Sequence, residues 1–197
     1  MTKWGLGRNG LGMRAFMRTM ITTALGALVL FCAAAAAKAD FEPIDCSSTS
    51  FAFADAAYNV DCERSKDPVR AGESSGSSVT DVMTVSSDDR TIFVTMVSQV
   101  ITAPRIYMEH RGLGENFRAV FNEEGVEDWK SIGNKDGYDV AEFTREISGQ
   151  NSHCVTMQRY TNPMHVGYKR HIIGMGCTVG QLESVYQILG HIDAPGD

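Results

Sequence analysis

The sequence is short of the devices that usually announce an activity, and each gap excludes something. No Cys-X-X-Cys spacing occurs, which argues against a thiol oxidoreductase and against a zinc knuckle. No D-x-[DN]-x-[DN]-G loop is present, so no EF-hand calcium site is expected. The chain has no twin-arginine pair, so translocation in the unfolded state is the default. It also lacks a run of about 20 strongly apolar residues that would hold it in a bilayer. The longest apolar run, Ile21 to Ala37, is shorter and is diluted by Thr22, Thr23, Gly26 and a string of alanines. No small residue precedes Cys32, which follows Leu30-Phe31, so lipidation there is excluded by side-chain size. Internal repeats and motifs specific enough to name a family are absent too.

What is present begins with an address. Lys3, Arg8, Arg14 and Arg18 precede the apolar run, which ends in Ala37-Lys38-Ala39. This is the basic, apolar and small-residue order of a cleaved secretory signal peptide over residues 1–39, cut before Asp40. Met13 or Met17 serves equally well as the start, because the basic region is long. Residues 40–197 are then expected to form a single exported domain in the periplasm or outside the cell, with no membrane contact after cleavage. A chain of that length buries roughly 70% of its unfolded surface, enough for a core of its own.

Cleavage changes the charge. The chain has 18 basic and 24 acidic residues, and the leader holds five of the basic ones and no acid. Thirteen against 24 leaves a net charge of −11 in place of −6. Such a surface repels phosphate backbones and anionic headgroups, so nucleic acid is excluded as a partner. Cleavage also leaves an even set of cysteines, Cys46, Cys62, Cys154 and Cys177, which in an oxidising compartment predicts two disulfides.

Hydrophobic patterning predicts the elements. Residues 40–78 read as an extended lead-in, with a short strand over Tyr58–Arg64, and a loop through the Gly/Ser-rich stretch 65–78. The core is expected over 79–192. Val79–Val85 and Arg90–Thr102 form a hairpin around Ser86-Ser87-Asp88-Asp89. Phe117, Val120 and Phe121 give a short middle helix closed by Gly125. After a turn at Asn134-Lys135-Asp136-Gly137, strands follow over Tyr138–Ile147, His153–Tyr160 and Tyr168–Cys177. Leu182, Val185, Tyr186 and Leu189 make the stripe of a C-terminal helix, with Thr178 and Gln181 as its capping box and Gly190 as its C-cap.

The last hairpin permits a register. Its loop, Asn162 to Gly167, makes the numbers of cross-strand partners sum to about 331, which sets Cys154 opposite Cys177 and Tyr160 opposite His171. The pairings are therefore 46–62 and 154–177. Thr156, Gln158 and Tyr160 share the cystine's face, while Val155 and Met157 face Gly176 and Gly174 on the other. Missing side chains at those glycines invite close approach, most simply by the C-terminal helix.

Candidate chemistry is thin. Gly72-Glu73-Ser74-Ser75-Gly76 matches the nucleophile-elbow pattern but lacks the strand-turn-helix frame that gives it meaning. Gly174 to Gly180 lies between a strand and a helix but lacks phosphate-loop spacing. Three histidines and three methionines fall between 153 and 177, a copper-competent set, yet the register leaves only Met164 and His165 adjacent as weak metal candidates. Arg159, Lys169 and Arg170 form a basic group near the hairpin tip of an acidic protein; with Tyr160 and His171 they are the candidate ligand-binding residues.

The expected fold is α+β: a largely antiparallel sheet of five or six strands, with the middle and C-terminal helices covering one face, and two disulfides. The expected function is a non-catalytic exported domain that binds an envelope protein or small ligand, without a cofactor. The alternatives are an exported hydrolase assembled from dispersed residues such as Ser74, His110 or His171, and a copper carrier built on the Met/His hairpin.

Overall fold

The computed structural model describes residues 40–121 and 123–194. The leader expectation, with Cys32 and the alternative starts, lies outside the described residues. The described chain is built on one eight-stranded sheet. Its strands are β1 (Glu42–Pro43), β2 (Asn59–Ala71), β3 (Ser74–Ser86), β4 (Ile92–Ile101), β5 (Val126–Lys135), β6 (Tyr138–Ile147), β7 (Gln150–Met164) and β8 (Gly167–Thr178). Helix α1 (Leu113–Phe121) follows β4 and helix α2 (Glu183–His191) follows β8. The order across the sheet is β1-β2-β3-β4-β8-β7-β6-β5, with every pair antiparallel.

Eight strands replace the expected five or six: β1 and β5 are added, and β2 and β3 run longer than expected. The stretch 65–78, expected as loop, is the second half of β2, a two-residue turn at Gly72-Glu73, and the start of β3, with Ala71 opposite Ser74. Gly72 has φ +56°, the left-handed conformation that a tight hairpin turn requires and glycine supplies. Gly76 is there for packing rather than flexibility: a Cβ at that position would collide with Ala103. Strand β1 adds two residues at the edge beside β2, and β5 is the longer addition. Nine of its ten residues are exposed and its pairing with β6 is broken by irregularities at Glu127–Lys130 and Ser131–Gly133, so it carries no inside–outside alternation to read.

The β7–β8 register is the expected one, with Cys154 opposite Cys177, Tyr160 opposite His171, and Met164 opposite Gly167 at the turn. Both disulfides join the expected partners, Cys46 to Cys62 and Cys154 to Cys177, the latter with Cα atoms 4.1 Å apart.

The two helices lie on opposite faces of the sheet rather than on one. Helix α1 packs Phe117 against Phe143, the Cys154–Cys177 disulfide and Met175. Helix α2 packs Val185, Ile188 and Leu189 against the other face, on Val94, Met96, Val155 and Ile172. The reason lies in β8, where His171 to Thr178 are buried without a break; a strand buried on both faces needs a cover on each. Gly174 and Gly176 admit the neighbours on the α2 side, since a Cβ at Gly176 would strike Val185 and one at Gly174 would strike Met96.

Two capping expectations fail. Thr178 ends β8, and its Oγ1 accepts from the Gly180 backbone N–H at 3.0 Å, a local turn in place of a capping box. The N-cap of α2 is Leu182, without a side-chain bond, and Gly190 lies inside the helix, whose C-cap is Ile192. Tertiary burial of three apolar residues holds this nine-residue helix, so it forms without a cap.

Candidate functional site

Strand alternation divides the five ligand-binding candidates between the two faces. Tyr160, Lys169 and His171 point to the α1 side, with Gln158 and the cystine. Arg159 and Arg170 share the α2 side with Val155 and Ile172. Lys169 is absorbed by the fold: its Nζ donates to the carbonyls of Ala103 at 2.6 Å and Ile106 at 2.5 Å and lies 4.2 Å from the Tyr107 ring centre, pinning the β4–α1 connection.

On the α1 side a polar network fills the space beside the helix N-terminal turn. Asn116 Nδ2 donates to Gln158 Oε1 at 2.6 Å and to the Tyr160 hydroxyl at 2.8 Å. Gln158 Nε2 donates to the Arg111 carbonyl at 3.0 Å, and the Tyr160 hydroxyl accepts from the Arg111 N–H at 3.2 Å. His171 Nε2 lies 3.3 Å from Gln158 Oε1 and 3.4 Å from Asn116 Nδ2, with its ring stacked on Tyr160 at 4.4 Å. Burial, reinforced by the charge of nearby His110, pulls the His171 imidazole down to about 4, so it is neutral at physiological pH. Outside it, the rings of His110, Tyr160 and Tyr168 pack together at 4.9 to 6.1 Å.

Chemically this network is a set of satisfied donors and acceptors. The hydrogen-bonding neighbours of His171 are amides, with no serine hydroxyl or carboxylate among them in the described residues. Ser74 sits at the β2–β3 turn opposite Ala71, where the Gly72–Gly76 motif forms a hairpin rather than a strand-to-helix elbow. The structure therefore brings His110 and His171 together around Tyr160, and places Ser74 on a different part of the sheet.

The α2 side differs. Ser98, Thr161 and Arg170 lie on neighbouring strands of this face: Arg170 stands directly opposite Thr161 on β7 and Val100 on β4, with Ser98 two residues before Val100. Ser98 Oγ, Thr161 Oγ1 and Arg170 Nε are buried and have no hydrogen-bond partner among the described residues. Ser98 is 1% exposed and Thr161 4%. An unsatisfied buried polar group costs about 1–3 kcal/mol, so three on one patch are conspicuous. Arg159 lies on the same face; its Nη2 donates to the Ala194 carbonyl at 3.3 Å and its guanidinium rests 4.7 Å from the Tyr138 ring centre.

Next along the sheet stands Asp81, directly opposite Ser98. Burial would raise its carboxyl, but hydrogen bonds from Arg64 and Ser50 outweigh that and hold it below its ordinary value. Arg64 Nε reaches it at 2.6 Å, and Ser50 donates from both N–H and hydroxyl at 2.9 Å. Close by, a cleft of about 470 Å³ is lined by the segment 46–53, Met83, Asp193 and Ala194.

Of the metal candidates, His165 occupies the β7–β8 turn and Met164 precedes it, 51% exposed. Met157 and Met175 are separated onto opposite faces and packed in different cores. Among the described residues no three His, Cys, Asp or Glu side chains gather as a metal cluster.

Sequence reasoning did not find Asn116, Gln158, Ser98 or Thr161. The available signal was register: Gln158 falls on the cystine's face of a strand buried there, where an amide needs a partner. No protein-family model, no curated protein and no solved structure matches the chain.

Proposed function

We propose that this chain is an exported, non-catalytic domain that binds a small ligand or an envelope protein. The observation that carries the reading is the fate of the residues available for catalysis. His171 is neutral and engaged with Asn116 and Gln158, and Ser74 lies at the β2–β3 turn, so nucleophile and base are not paired. Two disulfides support the exported part, since such bonds persist in oxidising compartments. No helix among the described residues is long and apolar enough to cross a membrane.

The test has two arms. Expressed with its leader in a bacterial host, the chain should be recovered with an N-terminus at Asp40 and both disulfides formed, as read by intact mass before and after reduction; retention of residues 1–39 refutes export. The recovered protein should stay unlabelled by a fluorophosphonate probe. Stoichiometric labelling at Ser74, lost in Ser74→Ala, would replace the binding reading with the hydrolase one.

A further inference from the structure

We propose that the Cys46–Cys62 disulfide is a thiol–disulfide exchange site, opened at Cys46 by a dithiol, and that its reduction releases the segment walling the cleft beside Met83. The inference does not rest on the reading of the domain as a binding module. It makes the chain a substrate of thiol chemistry rather than its catalyst, in keeping with the absence of a Cys-X-X-Cys spacing.

The two disulfides differ in what surrounds their sulfurs. Cys154 is 0% exposed and Cys177 1%, and both lie with Phe117 in the core that α1 closes. The hollow that reaches Cys177 has a volume of only about 70 Å³. Cys46 opens a short 3₁₀ turn, Cys46–Ser48, in which no residue is buried, and it lines the cleft of about 470 Å³. Its partner Cys62 is 5% exposed on β2, directly opposite Met83, and does not line that cleft. Thiolate attack requires access to one sulfur of the pair, so the cleft selects Cys46 as the sulfur attacked and Cys62 as the one displaced.

The step balances as an exchange. A thiolate of the dithiol forms a mixed disulfide with Cys46 as the Cys46–Cys62 bond breaks, and the displaced Cys62 sulfur takes up a proton. The second thiol of the reagent then gives up its proton and displaces Cys46. The dithiol leaves as a disulfide and both cysteines become thiols. What the bond held is the entry segment. Residues 46–53 form most of the cleft wall and bring Phe51 onto the α2-side core. Without the cystine, the segment keeps the Ser50 bonds to Asp81, the Arg64 bond to the Ser48 carbonyl, the Ala52–Asp193 bridge and the burial of Phe51. The ladders that join β3 to β4, β8, β7 and β6 do not pass through this segment, and the second disulfide ties β7 to β8. Reduction therefore loosens the cleft wall while the sheet stays folded.

The experiment treats the folded protein recovered after export with dithiothreitol in one arm and reduced thioredoxin in the other. Samples are quenched with acid, alkylated in denaturant and read by peptide mass. Cys46 and Cys62 should become free about a hundredfold faster than Cys154 and Cys177, because the buried pair waits for unfolding. Release by thioredoxin identifies a protein dithiol as a competent partner, and release by dithiothreitol alone a small one. Equal rates for the two pairs, earlier release of Cys154 and Cys177, or no release of either pair from the folded protein overturns the site. Cys46→Ser with Cys62→Ser stands in for the reduced state. Its amide hydrogens over residues 44–53 should exchange about tenfold or more faster than in wild type, with those of β6 to β8 unchanged. Should that variant fail to fold, the same measurement on the selectively reduced wild type carries the comparison. Unchanged exchange over 44–53, or acceleration across the whole sheet, overturns the release of the cleft wall. Either failure leaves the binding-domain reading standing, because fluorophosphonate labelling decides that one.

Discussion

Lowering the pH should destabilise the fold through His171, in a window set by burial. An exposed imidazole titrates near 6.5, and His171 in the folded protein titrates at about 4. Between those values the unfolded chain carries the proton and the folded one does not, so unfolding takes up a proton and stability rises with pH. The loss begins as pH drops through 6.5 and is complete below about 4. A displacement of about 2.5 pKa units corresponds to about 3 kcal/mol at the acid limit, with about 2 kcal/mol already lost at pH 5. The physical cause is that protonation puts a charge beneath Tyr160, next to amides arranged for a neutral ring. Asp81 does not blur this window. Its folded value is depressed, so its contribution is present above the ordinary carboxylate value and is lost only as pH falls below it.

The assay is urea denaturation from pH 7.5 to 5, followed by the fluorescence of Trp129, which packs on Phe117 and Phe143 on the α1 side. Wild type should lose about 2 kcal/mol across that range. His171→Gln, which keeps a polar group without a titration, should be less stable at pH 7.5 but nearly flat. Equal pH dependence in the two proteins would refute the reasoning, since the slope would then belong to other groups.

Other consequences follow from packing and covalent closure. Replacing Cys154 and Cys177 together by alanine opens a cross-link between residues 23 apart and should cost about 3 kcal/mol, a fall of roughly 7–12 °C in melting temperature by calorimetry. Gly176→Ala should cost about 1–3 kcal/mol in urea, because the new methyl meets Val185 on α2, whereas Gly190→Ala, with open space around it inside the same helix, should be neutral or mildly stabilising. Ile188→Ala removes a side chain 2% exposed from the α2 core and should cost about 2–5 kcal/mol. Deleting residues 182–192 strips that face altogether; recovery of a cooperatively melting product would show that α2 is dispensable.

What the sequence made legible was local and periodic. The β7–β8 register followed from one loop and strict alternation, and it delivered both the 154–177 disulfide and the division of faces. The turn at Asp136-Gly137 was readable because both residues take left-handed angles, φ +53° and +81°, that few other pairs accept. The strands that escaped are those without a buried face to pattern them. β5 is exposed along nearly its whole length, and the far part of β2 carries Lys66, Asp67, Pro68 and Arg70, residues that guard a sheet edge and resemble loop composition. The fault at the α2 cap has the same origin: a three-residue spacing matched a motif whose place was already taken by the last residue of β8.

The sites were harder to read, because a polar residue in a strand announces neither its partner nor the lack of one. Gln158 and Thr161 lie three residues apart on β7, both almost wholly buried and both polar. Being an odd number apart, they leave the sheet on opposite faces. On one side Gln158 meets Asn116, whose helix is anchored by the phenylalanines of α1, and the amides close on each other. On the other, Thr161 stands opposite Arg170, and no bond closes between them. That contrast between two faces of one hairpin is why burial and polarity in a strand were not enough to read the sites: the same pattern closes into a network on the α1 side and stays open on the α2 side.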